Sequence, residues 1–189
     1  MFENIRADTM RAFGDRKPER TLDVLRLLWT NHGLQVLVIY RFGRWLRELR
    51  KHRFGWIVAL SLDPGYRLLS ACAREAYDIS LEPSADIAAG LFIGHFGGIE
   101  VKNCCIGPGC AIYQQVKLGP SDETTERGPV IGARVFIGPH VQIQADISVG
   151  EGSCIGAGAV ITQDIPRHCL VLGNPGRIVQ QDYDNRAIL

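Results

Sequence analysis

The sequence predicts an α+β protein, in which a helical amino-terminal region is followed by a parallel β-helix of hexapeptide repeats. In the first part of the chain, apolar residues recur at three- and four-residue steps, as on one face of a helix. From residue 81 onward, aliphatic residues recur at every sixth position, and glycine often follows them. The expected boundaries are 1–78 for the helical region, 79–173 for the β-helix with a protruding loop at 119–130, and 174–189 for a carboxy-terminal tail.

The helical region contains three segments with helical periodicity. The stretch "GLQVLVIYRFGRWLREL" predicts one amphipathic helix, and "ERTLDVLRLLW" predicts another. A third is expected from Trp56 to Tyr77, with Pro64 and Gly65 near its start or breaking it. A cluster of basic residues is either a solvated helix face or a contact with an anionic surface or substrate. This cluster comprises Arg41, Arg44, Arg47, Arg50, Lys51 and Arg53.

The six-residue period fits neither a helix nor an ordinary hairpin sheet. It fits a parallel β-helix, in which each short strand turns one aliphatic side chain inward and three strands complete a triangular coil. The predicted inward positions are Leu81, Ile87, Ile93, Ile99, Ile106, Ile112, Leu118, Ile131, Ile137, Ile143, Val149, Ile155 and Ile161. The polar segment "GPSDETTERGPV" interrupts the period and is expected to leave the coil, either as a binding loop or as a tolerated insertion.

Composition and charge exclude several classes of protein. The chain has 189 residues and a formal net charge of +1, which argues against a nucleic-acid-binding protein. No signal peptide is recognisable, and the longest apolar runs are too short for a transmembrane segment. The six cysteines form no CxxC pair and are interpreted as small buried residues in a reducing compartment, so a cytoplasmic location is expected. No metal-ligand spacing occurs among the histidines and cysteines, and no metal is expected.

Several motifs together resemble a known family. The hexapeptide array, the protruding loop, "IGAGAVITQDIP" and "LGNPGRIV" resemble the left-handed β-helix acyltransferases. The stretches "IGHFGGIEV", "NIRADTMRAF" and "HGLQVLVIYRFGRWL" are similar to the serine acetyltransferase group of that family. The resemblance implies a left-handed β-helix, acetyl-CoA as the acyl donor and a homotrimer, which in some members pairs into a hexamer. It also implies that the donor lies in the groove between neighbouring subunits.

The resemblance assigns the catalytic role to His95. The family's histidine in the "HxxGI" motif falls on this residue and acts as a general base toward the acceptor hydroxyl. A neutral imidazole suits this role because its pKa lies near the pH of the cytoplasm. His140, in "IGPHV", is the rival base, whereas His32, His52 and His168 have no predicted role.

The resemblance also assigns the residues that would bind the donor. Motif matches place Gly119, Pro120 and Ser121 beside the thioester, and Gly138, Ala157 and Gly158 along the groove. Arg177, in "NPGRI", matches a basic residue near the nucleotide phosphates, where a charge-assisted contact is needed. For each of these glycines taken singly, the tight corner between two faces of the coil explains the residue as well as donor binding does.

The sequence departs from the family on the acceptor side. Gly94 replaces an aspartate before the histidine, and Lys17 occupies the place of an aspartate that grips the amino group of serine. In the loop, Arg127 of the family's "RHP" remains, while Gly128 replaces the histidine.

The carboxylate that orients the family's histidine is also missing. Its place holds Ser80, and Asp78 or Glu82 would substitute only in a different strand register. These departures favour a saccharide or a related small alcohol as acceptor, as in polysaccharide biosynthesis, with Arg127, Lys17 and Gly94 as acceptor-side residues. Two alternatives stay open: a serine O-acetyltransferase of cysteine biosynthesis, and a non-catalytic trimeric scaffold.

Overall fold

A computed structural model of the protein describes residues 2–14, 21–95, 97–120 and 127–189. In these residues, helices precede a long series of short strands. The helices are α1 (Phe2–Phe13), α2 (Thr21–Thr30), α3 (His32–Leu49) and α4 (Gly55–Tyr77). The strands are β1 (Ile79–Leu81), β2 (Asp86–Ile87), β3 (Phe92–Ile93), β4 (Ile99–Val101), β5 (Cys105–Ile106), β6 (Ala111–Ile112), β7 (Lys117–Leu118), β8 (Val130–Ile131), β9 (Phe136–Ile137), β10 (Gln142–Ile143), β11 (Ser148–Val149), β12 (Cys154–Ile155), β13 (Val160–Ile161), β14 (Leu170–Leu172) and β15 (Arg177–Gln180).

The strands form the three faces of a parallel β-helix, which confirms the predicted fold class. The first face is β1-β4-β7-β10-β13, the second is β2-β5-β8-β11, and the third is β3-β6-β9-β12-β14. The strand β15 closes the third face antiparallel to β14. All predicted inward positions are buried, none with more than 8% of its surface exposed. Their burial in stacked columns provides the main stabilisation of this region.

A second buried column was not predicted. It lies two residues before each inward aliphatic and includes Leu91, Cys110, Val135 and Val141. Its composition is mixed, so the six-residue period is less visible there. Ser153 occupies one of its positions, where its hydroxyl donates to the carbonyl of Pro166 at 2.8 Å.

The interruption of the coil falls where it was predicted. Regular strands stop at Leu118 and resume at Val130. Residues 121–126 of the expected loop lie outside the described residues.

The cysteines follow the prediction in part. Cys104, Cys110, Cys154 and Cys169 are buried, whereas Cys72 and Cys105 are exposed, so the prediction is wrong for these two. Burial raises the pKa of the Cys104 thiol to about 12 and that of Cys110 to about 11. The two buried thiols therefore remain protonated near neutral pH.

Part of the basic cluster is buried, which corrects its interpretation as a solvated face. Arg41 forms a buried ion pair with Asp8 of α1, at 3.0 Å between Nε and Oδ2, and donates to the carbonyl of Ala88 at 2.7 Å. The same carboxylate accepts from the backbone N–H of Gly90 at 2.7 Å. This pair therefore joins α1, α3 and the first coil of the β-helix.

Other polar groups of α3 contact the same coil. Arg44 and Arg47 donate to the carbonyls of Ala85, at 3.0 Å, and of Pro83, at 2.8 Å. The hydroxyl of Tyr40 also donates to Ala85, and burial raises the pKa of this phenol. The remaining basic residues, Arg50, Lys51 and Arg53, are exposed at the carboxy-terminal end of α3.

The long helix α4 is continuous through Pro64, so the predicted break is wrong. It packs against α3, with the ring of Tyr66 against Gly43 and near Phe42. Proline has no N–H to donate to the carbonyl of Leu60, one turn earlier, and both residues are exposed, so water can replace this hydrogen bond. Among the described residues, the structure contains no helix long and apolar enough to cross a membrane.

The carboxy-terminal tail folds back on the chain. The side-chain amide of Asn185 donates to the carbonyl of Arg134 at 2.7 Å. At the last residue, the carbonyl oxygen of Leu189 accepts from the guanidinium of Arg11 in α1. The tail thus links the β-helix to the helical region a second time.

Candidate active site

His95 lies exposed on the turn between β3 and β4. Gly97 and Gly98 shape this turn with φ values of 105° and 66°, which residues with a side chain rarely adopt. The N–H of Gly98 donates to Oδ2 of Asp78 at 2.7 Å, and the N–H of Ile99 donates to the carbonyl of Asp78 at 3.1 Å. Asp78 itself caps α4 in the left-handed conformation, so the end of this helix holds the turn that carries His95.

Five of the predicted site residues share one edge of the β-helix. We call the turns that follow β3, β6, β9 and β12 the third edge. Parallel pairing aligns Ile93, Ile112, Ile137 and Ile155 in successive coils, so the residues after them are stacked as well. The predicted residues on this edge are Gly94, His95, Gly138, Ala157 and Gly158.

The rival base His140 also lies on the third edge, in the turn after β9. Its backbone N–H donates to the carbonyl of Gln114 at 2.9 Å. With about 4.8 Å between neighbouring strands, His140 lies roughly 10 Å along the edge from His95. The structure therefore leaves both histidines as candidates for the same groove.

Two other predicted donor residues lie on a different edge. Gly119 and Pro120 follow β7, on the first face of the coil. The buried core, including Val116 and Val141, separates this edge from the third edge within one chain. Ser121 and Lys17 lie outside the described residues, and Arg177 is exposed at the start of β15.

Arg127 lies at the same edge as Gly119 and Pro120, where the chain passes from the first face to the second. It lines a cavity of about 410 Å³ together with Asn103, Asp146 and Asp164. A Cβ atom on Gly128 would overlap the carbonyl oxygen of Asn103. The backbone here therefore has no room for the histidine that the family carries in "RHP".

An open polar groove of about 580 Å³ runs along the first face, beginning at Gly98 in the turn that carries His95. Strand pairing places Ser80 opposite Glu100, and Glu100 opposite Lys117. The residues that line the groove carry charges of both signs. They include Arg74, Asp78, Ser80, Glu82, Glu100, Lys102 and Lys117.

The groove contains carboxylates, although Ser80 replaces the expected one. Asp78 is bound to the N–H of Gly98, and the carboxylate of Glu82 accepts from the hydroxyl of Ser84 at 3.0 Å. Glu100 forms an ion pair with Lys102. Asp78 thus contacts the turn of His95 through the backbone, a role that counting along the sequence could not reveal.

The space beside Gly94 is occupied by an aromatic ring. A Cβ atom on Gly94 would lie 2.7 Å from Cε1 of Tyr113. The same ring packs near Phe136, at 5.2 Å between centroids. An aspartate at position 94, as in the family motif, would therefore require Tyr113 to move.

Sequence reasoning missed Tyr113 and Gln114, which follow β6 on the third edge. The Oε1 atom of Gln114 is buried and accepts no hydrogen bond within the described chain. Such an unsatisfied acceptor is rare in folded proteins. The sequence signal was the "YQQ" between two inward aliphatics, where neighbouring coils carry glycine or proline.

The arrangement of His95 and the neighbouring turns suits acyl transfer. The described residues contain no group of three or more histidine, cysteine or acidic side chains that could hold a metal ion. An exposed imidazole on an edge lined with small residues can accept a proton from a hydroxyl, while the small residues leave space for an extended acyl carrier.

Comparisons with known proteins agree with this chemistry. Residues 128–163 match the family "Bacterial transferase hexapeptide (six repeats)". A serine acetyltransferase of Synechococcus elongatus is 33% identical over 181 residues, which cover 95% of this chain and 69% of the relative. A serine acetyltransferase of Bacillus subtilis is 37% identical over 158 residues, covering 82% of this chain and 68% of the relative.

Solved structures of similar proteins show the same architecture. Serine acetyltransferase from Vibrio cholerae has a TM-score of 0.76 at 30% identity, covering 95% of this chain and 66% of that chain. The enzyme from Brucella abortus, solved in complex with coenzyme A, has a TM-score of 0.75 at 26% identity, covering 95% of this chain and 68% of that chain. The chain therefore belongs to the serine acetyltransferase family of hexapeptide-repeat proteins and is an O-acetyltransferase.

Proposed function

We propose that the chain transfers the acetyl group of acetyl-CoA to an acceptor hydroxyl, with His95 as the general base. The observation that carries this proposal is the position of His95 on the edge that also holds Gly138 and Ala157. The imidazole takes the hydroxyl proton as the acceptor oxygen attacks the thioester carbonyl. The C–S bond then breaks, and the departing thiolate takes the proton from the imidazolium.

We further propose that the active unit is a homotrimer. The donor-binding candidates lie on two edges of one coil, Gly138 and Ala157 on the third edge and Gly119 on the first, with a packed core between them. One extended donor can contact both sets only if the edges belong to neighbouring copies. A closed ring of three such contacts satisfies this condition.

Serine is the first candidate acceptor. The reported relatives are serine acetyltransferases, and none of their names supports the polysaccharide acceptor that the sequence departures favoured. The groove supports serine chemically. Asp78 and Glu82 supply negative charge for an ammonium group, and Arg74 or Lys117 supplies positive charge for a carboxylate.

A saccharide hydroxyl is the second candidate, favoured by two observations. Tyr113 fills the place where the family motif would carry an aspartate, and Ser80 replaces another carboxylate in the groove. The ring of Tyr113 is partly exposed and offers an apolar face against which a sugar ring can pack.

Acetyl-CoA turnover in the presence of separate acceptors tests the function. Release of the free thiol is followed with serine, with amino sugars and neutral sugars, and without acceptor. We expect His95→Ala to lower kcat by about 10²- to 10⁴-fold while coenzyme A still binds. The control is His140→Ala, on the same edge, which is expected to retain turnover. A loss with His140→Ala and none with His95→Ala would reverse the assignment.

A variant on the acceptor side distinguishes serine from a sugar as the acceptor. Because Gly94→Asp alone would collide with Tyr113, the informative variant is Gly94→Asp with Tyr113→Ala. If the wild-type acceptor is a sugar, this variant is expected to gain turnover with serine and lose it with the sugar. Release of thiol with serine by the wild type favours the first candidate, and no release with any acceptor contradicts the proposed function.

A further inference from the structure

The corner between α3 and α4 exposes large apolar side chains. We define the corner surface as residues 50–60, which end α3, turn and begin α4. Phe54 is 72% exposed, Trp56 53%, Ile57 53% and Leu60 64%. Exposed aliphatic residues are common singly, but a contiguous group with two aromatic rings is typical of an interaction site.

The apolar face of the corner surface is distinct from the face that packs inside the protein. Ala59, Tyr66 and Ala73 lie on the side of α4 that faces α3. Ile57 lies opposite that side, Trp56 and Leu60 lie on one flank between the two, and all three are more than half exposed. The described chain therefore covers one side of α4 and leaves large apolar side chains exposed on the rest of its first turns.

The sequence around the corner surface has an excess of basic over acidic residues. Between residues 47 and 67 the sequence has five lysines and arginines and two acidic residues. Both acids are already paired, Glu48 with Lys51 at 2.8 Å, and Asp63 with Arg67 at 2.7 Å and with Arg50. Arg53 lies over the ring of Phe54, with its guanidinium carbon 5.7 Å from the ring centroid. Cations and aromatic rings are thus combined in one small surface.

We propose that the corner surface binds an anionic lipid bilayer and lies in its headgroup region. Phe54, Trp56 and Leu60 would enter the boundary between headgroups and acyl chains, while the basic side chains contact the lipid phosphates. No described helix is both long and apolar enough to span a bilayer, so we place the contact at the bilayer surface. Tryptophan beside arginine and lysine is the composition that favours this interface.

A second copy of the chain fits this surface less well. A two-fold contact would place the same patch against itself, and its excess of positive charge would face an equal excess. A bilayer of anionic lipid offers the opposite charge together with an apolar layer. Charge complementarity therefore favours the bilayer as the occupant.

Binding of the full-length chain to vesicles tests this proposal. We expect the protein to sediment with vesicles of equimolar phosphatidylcholine and phosphatidylglycerol, and to remain in solution with phosphatidylcholine alone. High salt is expected to weaken the binding because it screens the basic residues. The double variant Trp56→Ser with Leu60→Ser should lower the partition coefficient by at least about tenfold. The charge reversal Lys51→Glu with Arg53→Glu should also lower it.

The chain offers a matched control. Trp29, in α2, is 83% exposed and lies near the other end of α3, about 27 Å away along an 18-residue helix. Trp29→Ser is expected to leave vesicle binding unchanged, with circular dichroism reporting the fold of each variant. Equal losses in Trp29→Ser and in the double variant would overturn the proposal. A wild-type protein that does not bind anionic vesicles would also overturn the proposal. This includes the case in which the double variant lowers only the mass of the oligomer.

Discussion

The β-helix and the helical region contact each other through groups of a different kind from those that build the β-helix. In the β-helix, strand after strand buries an aliphatic side chain such as Ile131 or Ile137. At the contact with the helical region, the buried partners are charged or hydroxylic, namely Asp8, Arg41 and Tyr40. The repeated core spreads its stabilisation over many layers, whereas Asp8 and Arg41 form the one fully buried ion pair among the described residues.

The largest expected effect on stability comes from breaking this pair. Asp8→Ala leaves the guanidinium of Arg41 buried without its carboxylate, which is expected to lower the free energy of unfolding by about 3–5 kcal/mol. Urea denaturation measures this change. The control is Asp86→Ala, which removes the exposed partner of Arg44 and is expected to cost about 1 kcal/mol or less. Similar losses in the two variants would contradict the comparison.

A layer of the β-helix provides the second test. Ile131→Ala removes an inward side chain that is 2% exposed and is expected to cost about 2–5 kcal/mol. The neighbouring Val130 belongs to the same strand, faces outward and is 53% exposed, so Val130→Ala is expected to change stability by about 0.5 kcal/mol or less. Thermal or urea unfolding distinguishes them. An equal response would mean that the inward column is not the main source of stability.

Variants of Asp78, which we treat as a positioning residue, test the junction between the two regions. Asp78→Ala removes the acceptor of the Gly98 N–H and is expected to lower kcat by about tenfold, with the KM for acetyl-CoA nearly unchanged. Asp78→Asn keeps an oxygen acceptor and suits the left-handed backbone, so it should restore most of kcat. If Asp78→Asn loses as much activity as Asp78→Ala and the pH profile shifts, the carboxylate charge rather than the hydrogen bond is required.

The smallest effect concerns alkaline pH. Cys104 and Cys110 ionise near pH 9.0 when unfolded, but burial raises the pKa of Cys104 to about 12 and that of Cys110 to about 11 in the folded chain. Above pH 9.0 the unfolded state therefore loses protons first, and the stability from these groups falls as pH rises toward the folded pKa values. Urea denaturation across this range should show a shallower decline for Cys104→Ala with Cys110→Ala. The exposed Cys105→Ala serves as control and should keep the wild-type slope.

Much of the β-helix could be predicted from the sequence, because the six-residue period recurs over many coils and each repeat supports the assignment of the next. Ile93 through Ile161 could be placed inward without any knowledge of long-range contacts. The helical region offered no such repetition. Asp8 and Arg41 are 33 positions apart, and nothing in either segment indicates that they meet. The cluster that contains Arg41 therefore looked like a solvated face.

In the candidate site, only the residues that belong to a recognised motif could be predicted. The motif identified His95, but the motif does not show that Tyr113 fills the place beside Gly94, because the two are brought together by strand pairing. The contact of Asp78 with Gly98 depends on a helix cap in the left-handed conformation, which was not evident from the residue type. Side chains that meet across coils are thus the part of the site that required the structure.

The helix α4 joins two places that the sequence keeps apart. At 23 residues it is a rod about 35 Å long, with the corner surface at its first turn and Asp78 just after its last. The Asp78 side chain accepts from the N–H of Gly98, and its carbonyl accepts from the N–H of Ile99, so a tilt of α4 relative to the β-helix must either break these hydrogen bonds or shift the turn of His95. If the corner surface binds a bilayer as proposed, a change in the tilt of α4 is therefore expected to reach the turn of His95.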